Sequence, residues 1–369
     1  MKVLNKVSRI FVGIVFIFSG FVKGVDPLGT MYKIEDYFIA YDFQWAIPFA
    51  LILSFILIAI EFGLGVFLVF RVRMKVSSWL LLLMMSFFTI ITLFDALYNP
   101  VPDCGCFGEA IKLTNWQTFY KNIFLLVPTL IVFLKWKDVK WNRVYGLKEI
   151  NSVGLIFLFV VMSVYSYNHL PIIDYRNWEE GKDMSPDDQG EPVCYLVYED
   201  KTTGEKKNYL SEKLPWQDSV WMSNWEFVCQ KIDYSAVNRV HDLQIVNEYG
   251  DDLTSEILEN QNYQFFIVVN EFNSANKSGL KKIVNLWADF EDEVDFVVIT
   301  SSLEDEIADF KNKYNVDMSV YQADDIILKS MVRSNPGVIL LKNGVVIKKW
   351  HHNDIPTKKE LHQEDVFEK

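Results

Sequence analysis

The sequence predicts a polytopic α-helical membrane domain, a four-helix bundle plus a fifth transmembrane helix, followed by an α/β extracytoplasmic domain. Three observations carry this prediction. Five apolar runs separated by short polar loops fill the first 170 of 369 residues, the pattern of a multi-pass membrane protein. Charge divides at the same place: residues 1–170 carry 15 Lys+Arg against 10 Asp+Glu, whereas residues 171–369 carry 21 against 38. From about Val240 onward, buried-type strands alternate with amphipathic helical runs. A chain that is 50% hydrophobic and 23% charged is ordered and long enough for two domains. Its acidic second half excludes nucleic acid as a partner, because phosphate binding needs a concentrated basic face.

The membrane spans are expected near Val7–Gly24, Trp45–Phe70, Val76–Leu97, Trp116–Lys135 and Val153–Leu170. The first follows Lys2, Lys6 and Arg9 as a signal peptide would, but it lacks a small-residue cleavage site and four more spans follow. It is read as a retained helix. Eleven basic residues in the N-terminal segment and the loops at 71–75 and 135–148 stand against four (Lys23, Lys33, Lys112 and Lys121) on the other side. The positive-inside bias therefore puts the N-terminus in the cytoplasm of a plasma (inner) membrane protein, with 25–44, 98–115 and 171–369 extracytoplasmic, or periplasmic. The expected domains are 1–137, a four-helix transmembrane unit; 138–170, a cytoplasmic loop and fifth helix; 171–239, a β-rich linker region; and 240–369, an α/β domain.

Chemistry concentrates in the loop before the fourth span, Asn99-Pro100-Val101-Pro102-Asp103-Cys104-Gly105-Cys106-Phe107-Gly108-Glu109. Gly105 and Gly108 permit backbone conformations that a side chain would obstruct. A disulfide from Cys104 to Cys106 closes a very small ring and is expected to be easily reduced, as catalytic and regulatory disulfides are. A fixed staple is the bland alternative, yet one spanning a single residue removes little chain entropy. A two-thiolate metal site borrowing Asp103 or His169 is a third reading, and no second Cys/His pair at ligand spacing completes it. No metal ligand set is therefore assigned. Inside the spans, Glu61 is a candidate for either proton handling or a helix-packing hydrogen bond, and Asp95, near a span end, is read as an interface residue.

Four spans with an Asp-Cys-Gly-Cys-Phe-Gly loop before the last one resemble the MauE/DoxX family of membrane proteins, over about residues 1–137. The family fold is similar to the four-helix bundle of vitamin K epoxide reductase and the disulfide-forming membrane enzymes. That resemblance implies an electron route from extracytoplasmic thiol proteins to a lipid-soluble quinone. MauE itself is tied to methylamine utilisation, in the maturation of a dehydrogenase whose small subunit carries many disulfides. Thiol-to-quinone enzymes of this type commonly relay through two cysteine pairs, and this membrane half has one.

In the second half, 179–191 reads as irregular and acidic, while Val193–Tyr198 and Trp225–Ile232 read as strands, with a Thr203-Gly204 hairpin turn between Tyr198 and Tyr209. Cys194 and Cys229 fall in these strands and form a structural bridge worth roughly 3–4 kcal/mol, a second redox pair, or two free buried thiols. Further on, Phe265–Val269 is expected as a strand, Lys277–Phe290 as a helix, Val294–Thr300 as a strand and Leu303–Tyr314 as a helix. Val338–Leu341 and Val345–Trp350 complete the pattern as a hairpin around Asn343-Gly344. This order, with Ser334-Asn335-Pro336-Gly337 before the hairpin and short lead-in strands at 241–245, resembles a thioredoxin-like domain. The resemblance implies a cis peptide at Pro336 beside a partner-binding groove. Where that family carries Cys-x-x-Cys, this chain has Glu271-Phe272-Asn273-Ser274-Ala275-Asn276, and no thiol follows residue 229. The residues after Pro356 are expected to form a short helix or a frayed tail.

Two functions follow. The first is a membrane thiol–disulfide redox protein working through Cys104 and Cys106, with the lipid bilayer, a quinone and extracytoplasmic thiol proteins as partners. The second is a non-enzymatic accessory or assembly protein in which the Cys-Gly-Cys loop is structural.

Overall fold

The computed structural model describes the chain except for residues 1, 102, 139–144, 186–192, 202, 211–213, 215–218, 234–242, 291–292 and 369. Helix α1 (Lys2–Val25) leads into α2 (Pro27–Ala40), then a 3-10 segment (Gln44–Phe49), α3 (Ala50–Phe70), α4 (Met74–Tyr98), α5 (Asn115–Leu134) and α6 (Tyr145–Asn168). Five stretches are long and apolar enough to cross a membrane: Val3–Val25, Gln44–Phe70, Met74–Tyr98, Asn115–Leu134 and Lys148–Asn168. These match the expected spans, each starting one to five residues earlier. Lys140 and Arg143, counted for the orientation, lie outside the described residues.

Small residues set the packing of α1 on α3. A Cβ at Gly20 would sit 2.6 Å from the Phe62 nitrogen, and one at Gly65 would sit 2.6 Å from the Ile17 nitrogen. Backbones this close gain dispersion contacts that larger side chains would prevent, which matters in lipid, where apolar surface alone gives helices little reason to associate. α4 packs on α5, and Val12, Phe16, Leu68, Leu81, Met85 and Leu125 form the shared bundle core. α6 covers α3, where Phe159 stacks on Phe62 at 3.8 Å.

α2 was expected as loop. Asp26 caps it by accepting from the Gly29 N–H at 2.9 Å, and Pro27 occupies the first turn, where its missing N–H costs nothing. It lies against α3 and α1 at the end of the bundle that carries the cysteine loop.

Beyond α6, β1 (Val193–Asp200), β2 (Lys206–Leu210), α7 (Ser219–Asn224) and β3 (Trp225–Asp233) build a small antiparallel sheet of order β2-β1-β3. The bridge expected between Cys194 and Cys229 is not formed: Cys229 is a free, exposed thiol. Cys194 stands opposite Ile232 and Cys229 opposite Val197, three rungs apart. At a rise near 3.3 Å per residue this offset is about 10 Å, well outside the Cα separations a disulfide spans. The Cys194 side chain lies outside what is described.

The larger domain follows with α8 (Thr254–Leu258), β4 (Tyr263–Val269), α9 (Lys277–Phe290), β5 (Asp295–Thr300), α10 (Glu304–Tyr314), β6 (Ser319–Gln322), α11 (Asp325–Met331), β7 (Gly337–Lys342), β8 (Val345–His351) and α12 (Lys358–Gln363). Its sheet runs β6-β5-β4-β7-β8, with β4, β5 and β6 parallel and β7 and β8 antiparallel additions. Both faces are covered, so Phe265 to Val269 is buried throughout rather than alternating. One face packs Phe265, Ile267 and Leu340 against α9, α10 and α12; the other packs Phe266, Val268 and Ile339 against α8 and α11.

Three sequence expectations need correction. The lead-in strands reduce to single bridges from Val246 to Asp252 and Gln322, and His241 and Asp242 lie outside the described residues. β6 and α11 interrupt the simple strand–helix order that was expected. The acidic segment from Glu179 is not irregular at its start: Gly181 and Met184 donate to the carbonyls of Val346 and Gly344 and so lace residues 181–184 along β8. Its continuation at 186–191 lies outside the described residues. The residues after Pro356 form the short helix of the two alternatives expected, α12, and Leu361 and Val366 bury it against the core.

Candidate functional site at the cysteine loop

The cysteine loop is fixed from both flanks. Asn99 ends α4 in the left-handed region, and the Asn115 amide at the start of α5 donates to the Asn99 side chain at 2.7 Å and to the Val101 carbonyl at 2.9 Å. Thr114 and Gln117 form a capping box that starts α5. Gly105 takes φ +62°, and a Cβ there would lie 2.9 Å from the Lys33 side chain of α2. A turn follows, closed by the Gly108 N–H donating to the Gly105 carbonyl at 3.0 Å. Asp103 accepts from the Gly105 N–H at 2.9 Å and from Lys33 Nζ at 3.0 Å, which ties the loop to α2.

Within this frame the Sγ atoms of Cys104 and Cys106 are 2.8 Å apart, as two half-buried thiols. Their environments differ. The bond to Cys106 and burial push the Cys104 thiol up. The bond from Cys104 pulls the Cys106 thiol down, as do the ammonium groups of Lys121 and Lys23, against the opposing effect of burial. Of the two, Cys106 is the thiol whose surroundings favour ionisation.

Beneath the loop lies a buried polar group inside the bundle. Lys23 of α1 and Glu61 of α3 pair at 2.7 Å and are 7% and 2% exposed. The Ser19 hydroxyl lies 3.1 Å from Lys23 Nζ, 3.0 Å from Glu61 Oε2 and 2.7 Å from the Cys106 carbonyl, accepting from the lysine and donating to one of the two oxygens. Glu61 thus cross-links α1 to α3 and does so next to the thiols. Asp95, expected at an interface, is instead fully buried and accepts from the Tyr37 hydroxyl of α2 at 2.6 Å. Burial and that bond push the Tyr37 phenol well above its ordinary range.

These groups open on an apolar cavity of about 400 Å³. Phe16, Phe38, Tyr41, Phe88, Ile91 and Leu125 form much of its wall, with Cys104, Cys106, Lys23 and Glu61 on the same lining. His169, offered as a metal ligand, pairs instead with Asp354 at 2.7 Å and does not line the cavity. Asp103 is engaged by Lys33. Among the described residues no group of three His, Cys, Asp or Glu is placed to hold a metal ion.

α2 also receives the larger domain. Arg333, which follows α11 and is 4% exposed, donates from Nε to Asp26 at 2.9 and 3.0 Å. Its guanidinium and Lys329 Nζ lie 5.4 and 4.9 Å from the Tyr32 ring centre. A second mooring joins the end of α6 to the segment after β8, where the Asn353 amide donates to the Asn168 carbonyl at 2.8 Å. The Asn335–Pro336 peptide is cis, and Pro336 is buried. The Asn335 side chain donates to the Glu271 carbonyl and to Ser274, placing the 271–276 segment beside it.

A family model described as methylamine utilisation protein MauE matches residues 1–135. Over its first five helices the membrane bundle is similar to MauE. Neither curated proteins nor solved structures give a match to the chain. The MauE match ends one residue after α5, so α6 and both sheets lie outside it, while the whole cysteine loop lies within it.

Sequence reading found Cys104, Cys106 and Glu61 of this candidate site and missed Lys23, Ser19, Lys33, Tyr37 and Lys121. Lys23 carried a usable signal. A cation within an apolar run needs a buried partner as much as Glu61 does, and each was the other's.

Proposed function

We propose that this protein is a membrane thiol–disulfide oxidoreductase whose reacting groups are Cys104 and Cys106. A substrate dithiol is oxidised as the Cys104–Cys106 disulfide is reduced. The resulting dithiol then passes two electrons and two protons to a lipid-soluble quinone, giving quinol and restoring the disulfide. One observation carries the reading: two unlike thiols in contact share the lining of an apolar, aromatic-walled cavity within the bundle. A quinone ring taken up there would make apolar contacts with the wall beside the two sulfurs.

The bias of basic loops supports placing the cysteine loop and the domains after α6 on the extracytoplasmic side of the inner membrane. The strand order and the helices on both faces support reading the larger domain as thioredoxin-like. With no thiol beside Pro336, that domain acts as a recognition module held over the site.

The test is thiol trapping of the pair in membranes across graded thiol/disulfide buffers, with and without added quinone. The expected result is an oxidising potential, above about −200 mV as for known disulfide donors, and quinone-dependent return to the disulfide. A pair locked in one state overturns the proposal and leaves the accessory reading, in which Cys104→Ser and Cys106→Ser are tolerated.

A further inference from the structure

Resting on the redox reading just given, the polar group beneath the loop has a task of its own. A lone ammonium or carboxylate within a membrane bundle is costly, so Lys23 needs one anion near it at all times. Two groups able to carry that negative charge, the Glu61 carboxyl and the Cys106 thiol, line the same cavity as Lys23. Glu61 touches it directly, and Cys106 is joined to the same group through Ser19, whose hydroxyl contacts both Glu61 and the Cys106 carbonyl. We infer that Lys23 is the counter-ion of the Cys106 thiolate and that Glu61 is its alternate partner, taking the proton that Cys106 gives up.

The step balances. The Cys106 S–H bond breaks and a Glu61 O–H bond forms, no electrons change hands, and the charge of the buried group stays constant. Before the transfer the ion pair is ammonium with carboxylate; afterwards it is ammonium with thiolate beside a neutral carboxyl. Forming the nucleophile then requires no new net charge in the membrane. Other charged groups around the cavity are occupied or better hydrated. Lys33 on α2 is held by Asp103, and Asp95 on α4 by Tyr37. Lys121 on α5 lies over the Phe107 ring, is half-buried, and adds its own pull on the Cys106 thiol, but no carboxylate shares it as Glu61 shares Lys23 among the described contacts. α6 faces this end of α1 with Phe159 and Ser163, neither of which titrates.

The experiment measures the alkylation rate of Cys106 by mass spectrometry, in the reduced full-length protein in membranes, as a function of pH. Below the thiol pKa, raising that pKa by one lowers the thiolate fraction, and with it the rate, about tenfold. Lys23→Met is expected to slow alkylation about tenfold, and Glu61→Gln to accelerate it by freeing Lys23 for the thiolate. The Lys23→Met/Glu61→Gln protein leaves no lone buried charge, so it guards against misfolding, and it is expected to react as slowly as Lys23→Met. A wild-type rate in the double variant, or slowing by Glu61→Gln alone, overturns the assignment. The readout requires no turnover: a protein that passes it and yet is not reoxidised by quinone refutes the redox function without touching the counter-ion.

Discussion

Single residues in this chain do work that their neighbours in sequence do not announce. His351 ends β8 and is 2% exposed; burial, with smaller repulsion from His352, lowers its pKa to about 4. An unfolded chain therefore binds a proton that the folded one refuses between about pH 6.5 and pH 4. Stability present at neutral pH is lost as pH falls through that window. The thermal transition of the protein in detergent, followed by Trp emission, is expected to be lower at pH 5 than at pH 7, and His351→Asn to reduce the difference. Tyr37 holds Asp95, whose other carboxylate oxygen has no partner among the described residues. Tyr37→Phe strips the last hydrogen bond from a buried carboxyl, at about 1–3 kcal/mol, and should lower the same transition. Of the site itself, Cys104, Cys106 and Glu61 could be read from the sequence because each is chemically out of place in its surroundings. Lys23 and Ser19 gain their meaning from α1 packing on α3, a contact between positions about forty residues apart that no local pattern encodes.

At the scale of elements, legibility followed length and turn chemistry. The amphipathic stripe of α9 ran long enough to fix both its ends, and Asn343-Gly344, both at positive φ, marked the hairpin of β7 and β8. β6 is four residues long, and α11 seven. Neither repeats its period often enough to stand out, even though Asp324 caps α11 through two backbone N–H groups. α2 was hidden differently, because its apolar residues are divided between the cavity and the bundle and no single stripe emerges. Its start is the informative part. Asp26 both caps the helix and holds Arg333, so Asp26→Ala removes a cap and leaves a buried guanidinium unpaired, a loss of about 3–5 kcal/mol for the pair alone. Faster hydrogen exchange in α2 and α11 is the expected signature, partly reversed by Arg333→Leu in the same chain. The α1–α3 contact makes a sharper prediction. Gly20→Leu forces a side chain onto the Phe62 backbone and should cost about 1–3 kcal/mol or more, read as a lowered thermal transition.

For the whole molecule, the division into a membrane bundle and an α/β domain was legible from hydropathy and charge, whereas the docking of one on the other was not. What joins them is also short. α6 ends at Asn168, and Trp178 is already buried in the core of the larger domain. Ten residues of fully extended chain reach about 35 Å, so this is the length of the leash on which the domain is tied. Even with Arg333 and Asn353 disengaged, the domain stays within its own diameter of the dock, at an effective concentration in the millimolar range. Mutations at the dock should therefore change how often the domain lifts away from the cysteine loop, while leaving it bound to patrol the same few nanometres of membrane surface.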